Sequence, residues 1–142
     1  MFDVVVVGAD GSATAARAVE AAARIAQMSG GTLHIVSAIG HRSHIEAGLP
    51  EEFKDIDTAS DADALLQDLS FIAKRHQVEP VLHGVTGKPD DVILELANKV
   101  GADLVVVGNR GMKGVRRVLG SVPNSVAHGA QCSVAIIYTV EP

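Results

Sequence analysis

Two short apolar runs constrain this chain more than anything else in it. They are Val4-Val5-Val6-Val7 near the start and Leu104-Val105-Val106-Val107 far along, and each runs straight into a glycine. An unbroken apolar run leaves no polar face, so such a strand has to be covered on both sides, as in a parallel sheet held between helices. Gly8 and Gly108 each open a loop, and the loop at Gly108 has the make-up of an anion site. Glycine lets backbone N–H groups approach an anion with no Cβ in the way, and a helix N-terminus beyond it adds unpaired donors and the positive end of a dipole.

The second loop is the richer one. From Gly108 it reads Gly-Asn-Arg-Gly-Met-Lys-Gly-Val-Arg-Arg-Val-Leu-Gly-Ser, and it leads into an apolar-periodic segment with Val122, Val126 and Ala130. Arg110, Lys113, Arg116 and Arg117 are four of the 12 Lys and Arg residues of a chain whose net charge is −5. The sign of the charge is therefore reversed locally, where phosphate would sit. A glycine-rich turn that binds nothing has the same composition, so the rest of the chain has to discriminate.

The remaining segments fall into alternation. After Gly8-Ala9-Asp10-Gly11-Ser12, in which Ser12 is a candidate cap, a helix places Ala15, Val19, Ala22 and Ala26 on one face and stops at Gly30-Gly31. Residues 32–38 read as a second strand, and the stretch from Gly40 to about Asp57 shows no period, which suggests a lid or partner surface. A helix over about 60–76 carries Leu65, Leu66, Leu69, Ile72 and Ala73; a strand over 81–86 follows Pro80. Gly87-Lys88-Pro89-Asp90-Asp91 starts a third helix with proline and two carboxylates in its first turn, and Val92, Ile93, Leu96, Ala97 and Val100 form its apolar face. Strands over 103–107 and 133–139 flank a last helix over 121–129. With right-handed crossovers the result is one α/β domain over residues 1–142: a doubly wound, five-stranded parallel sheet of order 3-2-1-4-5, Rossmann-like. Its ligand belongs beyond the strand C-termini at the switch point, where Gly8 to Asp10 and Gly108 to Gly111 share one crevice.

Composition agrees and excludes alternatives. Hydrophobic residues make up 47% and aromatics 3%, so the core is aliphatic. The acidic balance argues against a general nucleic-acid binder, and no run reaches the length of a membrane span. The N-terminus enters a strand directly with no secretory pattern, which makes the cytoplasm the expected location. Cys132 is the one cysteine and sits among Val134, Ala135 and Ile136, the setting of a buried structural thiol.

Gly108-x-x-Gly111 followed by Gly120-Ser121 resembles the ATP-binding signature of the universal stress protein family. Eight residues separate Gly111 from Gly120 here, where the family pattern has nine. The resemblance covers nearly the whole chain through Val7-Gly8-Ala9-Asp10-Gly11-Ser12, Gly87-Lys88-Pro89 and Val106-Val107-Gly108-Asn109-Arg110-Gly111. It implies an adenine nucleotide alpha hydrolase-like fold and ATP, with Mg where the phosphates call for it. Gly8, Ala9 and Asp10 would line the base site, and Ala38 would offer backbone to the adenine edge. Gly108, Asn109, Arg110 and Gly111 would surround ribose and α-phosphate, with Met112 and Lys113 beside them. Gly120, Ser121, Val122 and Pro123 would meet the outer phosphates. It also implies a bacterial stress-response module acting through protein partners as a homodimer joined by the last strand, Ser133 to Thr139. AMP or cyclic AMP in place of ATP, a nucleotide-independent dimeric interaction protein and a slow ATPase stay open as alternatives.

Other features have plainer readings. Asp10 lacks the acidic pair of a response-regulator phosphoacceptor. Gly40-His41-Arg42-Ser43-His44 does not have the spacing of nucleotidyl transferase histidines. The six histidines show no converging metal spacing, and none is assigned catalysis. Asp55, Asp57, Asp61 and Asp63 read as a solvated approach to a helix. No Walker phosphate loop occurs, and no base or acceptor site for dedicated catalysis can be named.

Overall fold

Three consecutive valines, Val5, Val6 and Val7, are completely buried at the centre of the molecule, and alternation along this strand sends them to opposite sides of a sheet. The structure is a computed structural model that describes residues 1–10, 15–40, 59–109 and 121–138. The elements follow in the order β1 (Val4–Gly8), α1 (Ala15–Ser29), β2 (Thr32–Ile39), α2 (Ala59–Arg75), β3 (Val81–Thr86), α3 (Pro89–Val100), β4 (Leu104–Gly108), α4 (Ser121–Gly129) and β5 (Ser133–Ile137). All strands pair in parallel in one sheet of order β3-β2-β1-β4-β5, the expected doubly wound arrangement.

Two aliphatic cores result. On one face Val5, Val7, Leu33, Ile35 and Val106 pack with Ala18, Ala22 and Ala26 of α1 and Leu66, Leu69 and Ala73 of α2. On the other, Val6, Val36, Val105 and Val107 pack with Val92, Ile93, Leu96 and Ala97 of α3 and with Val126 of α4. Alanines on α1 bring that helix close to the sheet, so the small residues marked its inner face correctly. Cys132 is half-buried rather than buried, packs at the margin of the second core, and has its thiol pKa raised by burial and by the Asp103 charge.

The ends of the elements are set by local hydrogen bonding. α3 begins at Pro89 with no side-chain cap from Lys88 and ends at Gly101, whose φ of 67° is the left-handed conformation that closes a helix with least strain in glycine. α2 ends one residue sooner than its periodicity suggests. Gln77 takes φ 60°, its N–H donates to Lys74 O at 3.0 Å, and Val78 N–H donates to Ala73 O at 3.1 Å. β4 begins at Leu104 rather than Asp103 because Asp103 has another task. Its Oδ2 accepts from Asp3 N–H at 2.9 Å and its Oδ1 from Val4 N–H at 3.1 Å, while its own N–H donates to Val4 O at 3.0 Å.

The two backbone donors, Asp3 first, hold the Asp103 carboxyl below its ordinary pKa. A depressed carboxylate pKa adds stability that is present above the unfolded-state value, near 3.8 here, and is lost as pH falls through the folded-state value. Asp103→Ala is therefore expected to melt at lower temperature than the parent at pH 7, with the gap shrinking in melts below pH 3.8. An equal gap at both pH values would mean that the charge contributes nothing.

Candidate functional site

At the C-terminal edge of the sheet the central strand stops before its neighbours do. The last β1–β2 pair is Gly8 with Val36, and the last β1–β4 pair is Val7 with Val106. β2 continues beside β3 as far as Ile39 opposite Thr86, and β4 continues beside β5 to Gly108 opposite Ile137. A notch is left above the end of β1, floored by Gly8, Ala9 and Asp10 and walled by the ends of β2 and β4. It lies at the switch point, because the chain leaves β1 toward β2 on one side and meets β4 on the other.

Backbone polarity decides what the notch can bind. Ala9 N–H donates to Val36 O at 2.9 Å, so the peptide groups of Val36 face β1, as do those of Ala38 two residues on. Gly87 N–H donates to Ile39 O at 3.0 Å, so the intervening residues face β3. Among the described residues no bond continues the ladder from Ala38 N–H to β1. Its donor and acceptor, side by side and past the end of the central strand, match the edge of a planar heterocycle that carries both an acceptor nitrogen and an amino group. On the other wall Asn109 N–H donates to Ile137 O at 2.9 Å, which turns Gly108, the residue before it, toward β1. The Asn109 side chain is buried.

Gly8 has a structural duty as well. A Cβ built there would collide with the Ile93 side chain of α3, so glycine lets that helix reach the strand end. Ala38 and Asp10 are half-buried at this edge. Val122 is half-buried and Pro123 buried in the first turn of α4, where a missing N–H costs nothing. Ser121 opens α4. The structure thus brings Gly8, Ala9, Asp10, Ala38, Gly108 and Asn109 to one edge, while Arg110, Gly111, Met112, Lys113 and Gly120 lie outside the described residues. So do Ser12, residues 41–57 of the stretch read as a lid or partner surface, and Thr139.

Two features escaped the sequence reading. Ser37, on the α1–α2 side of β2 next to Ala38, is completely buried, and its Oγ has no partner among the described residues. An unsatisfied buried hydroxyl costs about 1–3 kcal/mol, so Ser37→Ala is expected to raise stability by about 1 kcal/mol and Tm by about 2–4 °C in a ligand-free thermal melt. A lowered Tm would show that the hydroxyl has a partner. The second is a pair of histidines, His34 of β2 and His83 of β3, whose Nδ1 and Nε2 atoms lie 2.9 Å apart. Nothing in their sequence spacing relates them.

Comparison with known proteins converges on one family. The model of the universal stress protein family matches residues 1–137. A universal stress protein of Mycobacterium tuberculosis (strain H37Rv) is 33% identical over 145 aligned positions, covering 97% of each chain. A crystal structure of a universal stress protein in complex with cAMP superposes with a TM-score of 0.80 at 36% identity, covering 98% of this chain and 99% of that one. The fold is shared further with a universal stress protein from Archaeoglobus fulgidus in complex with dAMP, TM-score 0.71 at 24% identity, covering 96% of this chain and 98% of that one.

Proposed function

Because the chain belongs to the universal stress protein family, we propose that it binds an adenine nucleotide in the notch above β1 and acts in a stress response through protein partners. The observation that carries this reading is the Ala38 peptide, whose donor and acceptor have no partner among the described residues past the last β1–β2 bond. Adenine offers the matching acceptor and amino group on one edge; guanine presents a carbonyl and a protonated nitrogen there and meets two mismatches. Asp10 then lines the base site, Gly108 flanks the sugar, and the phosphates run toward the start of α4, where unpaired N–H groups and the helix dipole favour anions. Arg110, Lys113, Gly120 and Ser121 belong to that phosphate path by sequence. ATP with Mg fits because Mg takes most of its ligands from phosphate oxygens and water; no cluster of three or more His, Cys, Asp or Glu side chains occurs among the described residues. Cyclic AMP is the second reading, favoured by the 36% identical relative whose structure contains it.

Calorimetry with ATP, AMP, cyclic AMP and GTP tests the proposal. At least one adenine nucleotide should bind with GTP at least ~10-fold weaker, about 1.4 kcal/mol. Heat with none of the adenine nucleotides would overturn it in favour of an interaction-only module. The assembly proposed is a homodimer through β5, an edge strand that no charge or proline blunts between Ser133 and Ile137. Among the described residues no helix is long and apolar enough to cross a membrane.

A further inference from the structure

Among the described residues, the sheet face that α3 covers over β1 and β2 is left open at β3. Val36 packs under α3, so His34, two residues earlier on β2, faces the same way. Leu82 packs on the α1–α2 side, so its neighbour His83 faces this side too. The register pairs His34 with Val81 and Val36 with His83, which sets the two imidazoles on a diagonal. Their rings stack with centroids 5.2 Å apart at 27°, with Nδ1 of His34 and Nε2 of His83 2.9 Å apart. Both rings are half-buried, and along the same face of β3 Val81 and Val85 are 42% and 36% exposed, so the pair can be reached from solvent.

We propose that His34 and His83 form a two-imidazole chelate for a divalent transition metal of square-planar or tetragonal preference, Cu(II) or Ni(II), at a site separate from the notch above β1. Imidazole nitrogen holds copper(II) most tightly among the first-row divalent ions, with nickel(II) next before it in the series, and this selects the metal class. The 2.9 Å contact is a hydrogen bond; a metal ~2.0 Å from both nitrogens lies off the line between them, so small rotations of both rings let it replace the shared proton. Water completes the coordination on the open side. Burial lowers the pKa of both rings, and His34 and the Lys99 ammonium at the end of α3 lower that of His83 further. At present one ring donates a proton to the other. On binding, the donor ring moves that proton to its other nitrogen, so both shared nitrogens present lone pairs and no net proton is released. Among the described residues, Lys99 is the charged group outside the pair that acts on His83, and its positive charge opposes a cation.

The test is titration of the full chain, freed of metal, with copper(II) sulfate, nickel(II) chloride and zinc(II) chloride by calorimetry, with electron paramagnetic resonance of the copper form. One copper per chain should bind with nitrogen hyperfine structure, in the order Cu(II), then Ni(II), then Zn(II). Affinity for copper should fall at least ~10-fold in His34→Asn and in His83→Asn. It should rise in Lys99→Gln, a change on the helix surface that leaves both rings in place. The double variant His41→Asn/His44→Asn should bind as the parent does. If the His34 variant fails to fold, His83→Asn on the edge strand and Lys99→Gln still decide. Copper binding unchanged in His83→Asn, unaffected by Lys99→Gln, or zinc binding tighter than copper would overturn the assignment.

Discussion

Gly120→Val is expected to abolish adenine-nucleotide binding, with a loss on the order of 100-fold or more, while the circular dichroism spectrum and thermal melt stay those of the parent. A phosphate held at a helix start is bound by backbone N–H groups, and these reach it only where no side chain intervenes. Gly120 directly precedes α4, whose described part begins at Ser121. On the proposed phosphate path a branched Cβ at this position would stand between donor and anion, and binding and folding are expected to separate. A hundredfold loss corresponds to about 2.8 kcal/mol, the equivalent of losing one or two charge-assisted hydrogen bonds. Binding equal to the parent's would place the phosphates away from this loop.

Ile136→Pro is expected to convert a dimer into a monomer. Ile137 turns its carbonyl toward β4 to accept from Asn109 N–H, so the backbone groups of Ile136 point the opposite way, out of the free edge of the sheet. Proline at 136 therefore removes an outward donor and spares the β4–β5 ladder. In an antiparallel twofold pairing centred near Ala135 to Ile137 the lesion appears twice, at about 1–3 kcal/mol each, which raises the dimer Kd on the order of 100-fold or more. Ile136 is 37% exposed, so the loss of its side chain perturbs the core little. Analytical ultracentrifugation at micromolar concentration reads the result. A monomeric parent, or a folded and fully dimeric variant, would move the interface elsewhere.

The parts of the architecture that the sequence displayed are those written in one-dimensional periods. Valine runs announced the two central strands, and alanines at helical spacing marked the inner face of α1, all of it buried as expected. The notch followed from topology, because order 3-2-1-4-5 brings the ends of β1 and β4 together whatever the loops contain. Features that depend on the exchange of bonds between distant segments stayed hidden. The turn that closes α2 runs through Gln77 at φ 60° with no glycine to mark it, and part of the compensation is a hydrogen bond from Gln27 Nε2 to Gln77 Oε1 at 2.8 Å, across from α1. His34 and His83 meet only because β2 and β3 pair in one register. Which peptide edge of Ala38 faces the notch likewise depends on a bond made two residues away, between Ala9 and Val36.

Near-identical side chains along β1 and β4 carry a hidden ambiguity. Val5 to Val7 lie beside Leu104 to Val106, and a slip of two residues would return every side chain to the same face with almost the same volume. Packing alone therefore distinguishes poorly between alignments. The Asp103 carboxylate, which captures the amides of Asp3 and Val4 at one end, distinguishes well, since a shifted strand would offer it different partners or none. Its contribution is to uniqueness as much as to stability: it opens an energy gap between one alignment and its near-copies. At neutral pH a chain without that carboxylate should still form a sheet with buried valines, yet show doubled amide resonances along β1 and β4, the mark of two alignments sharing one fold.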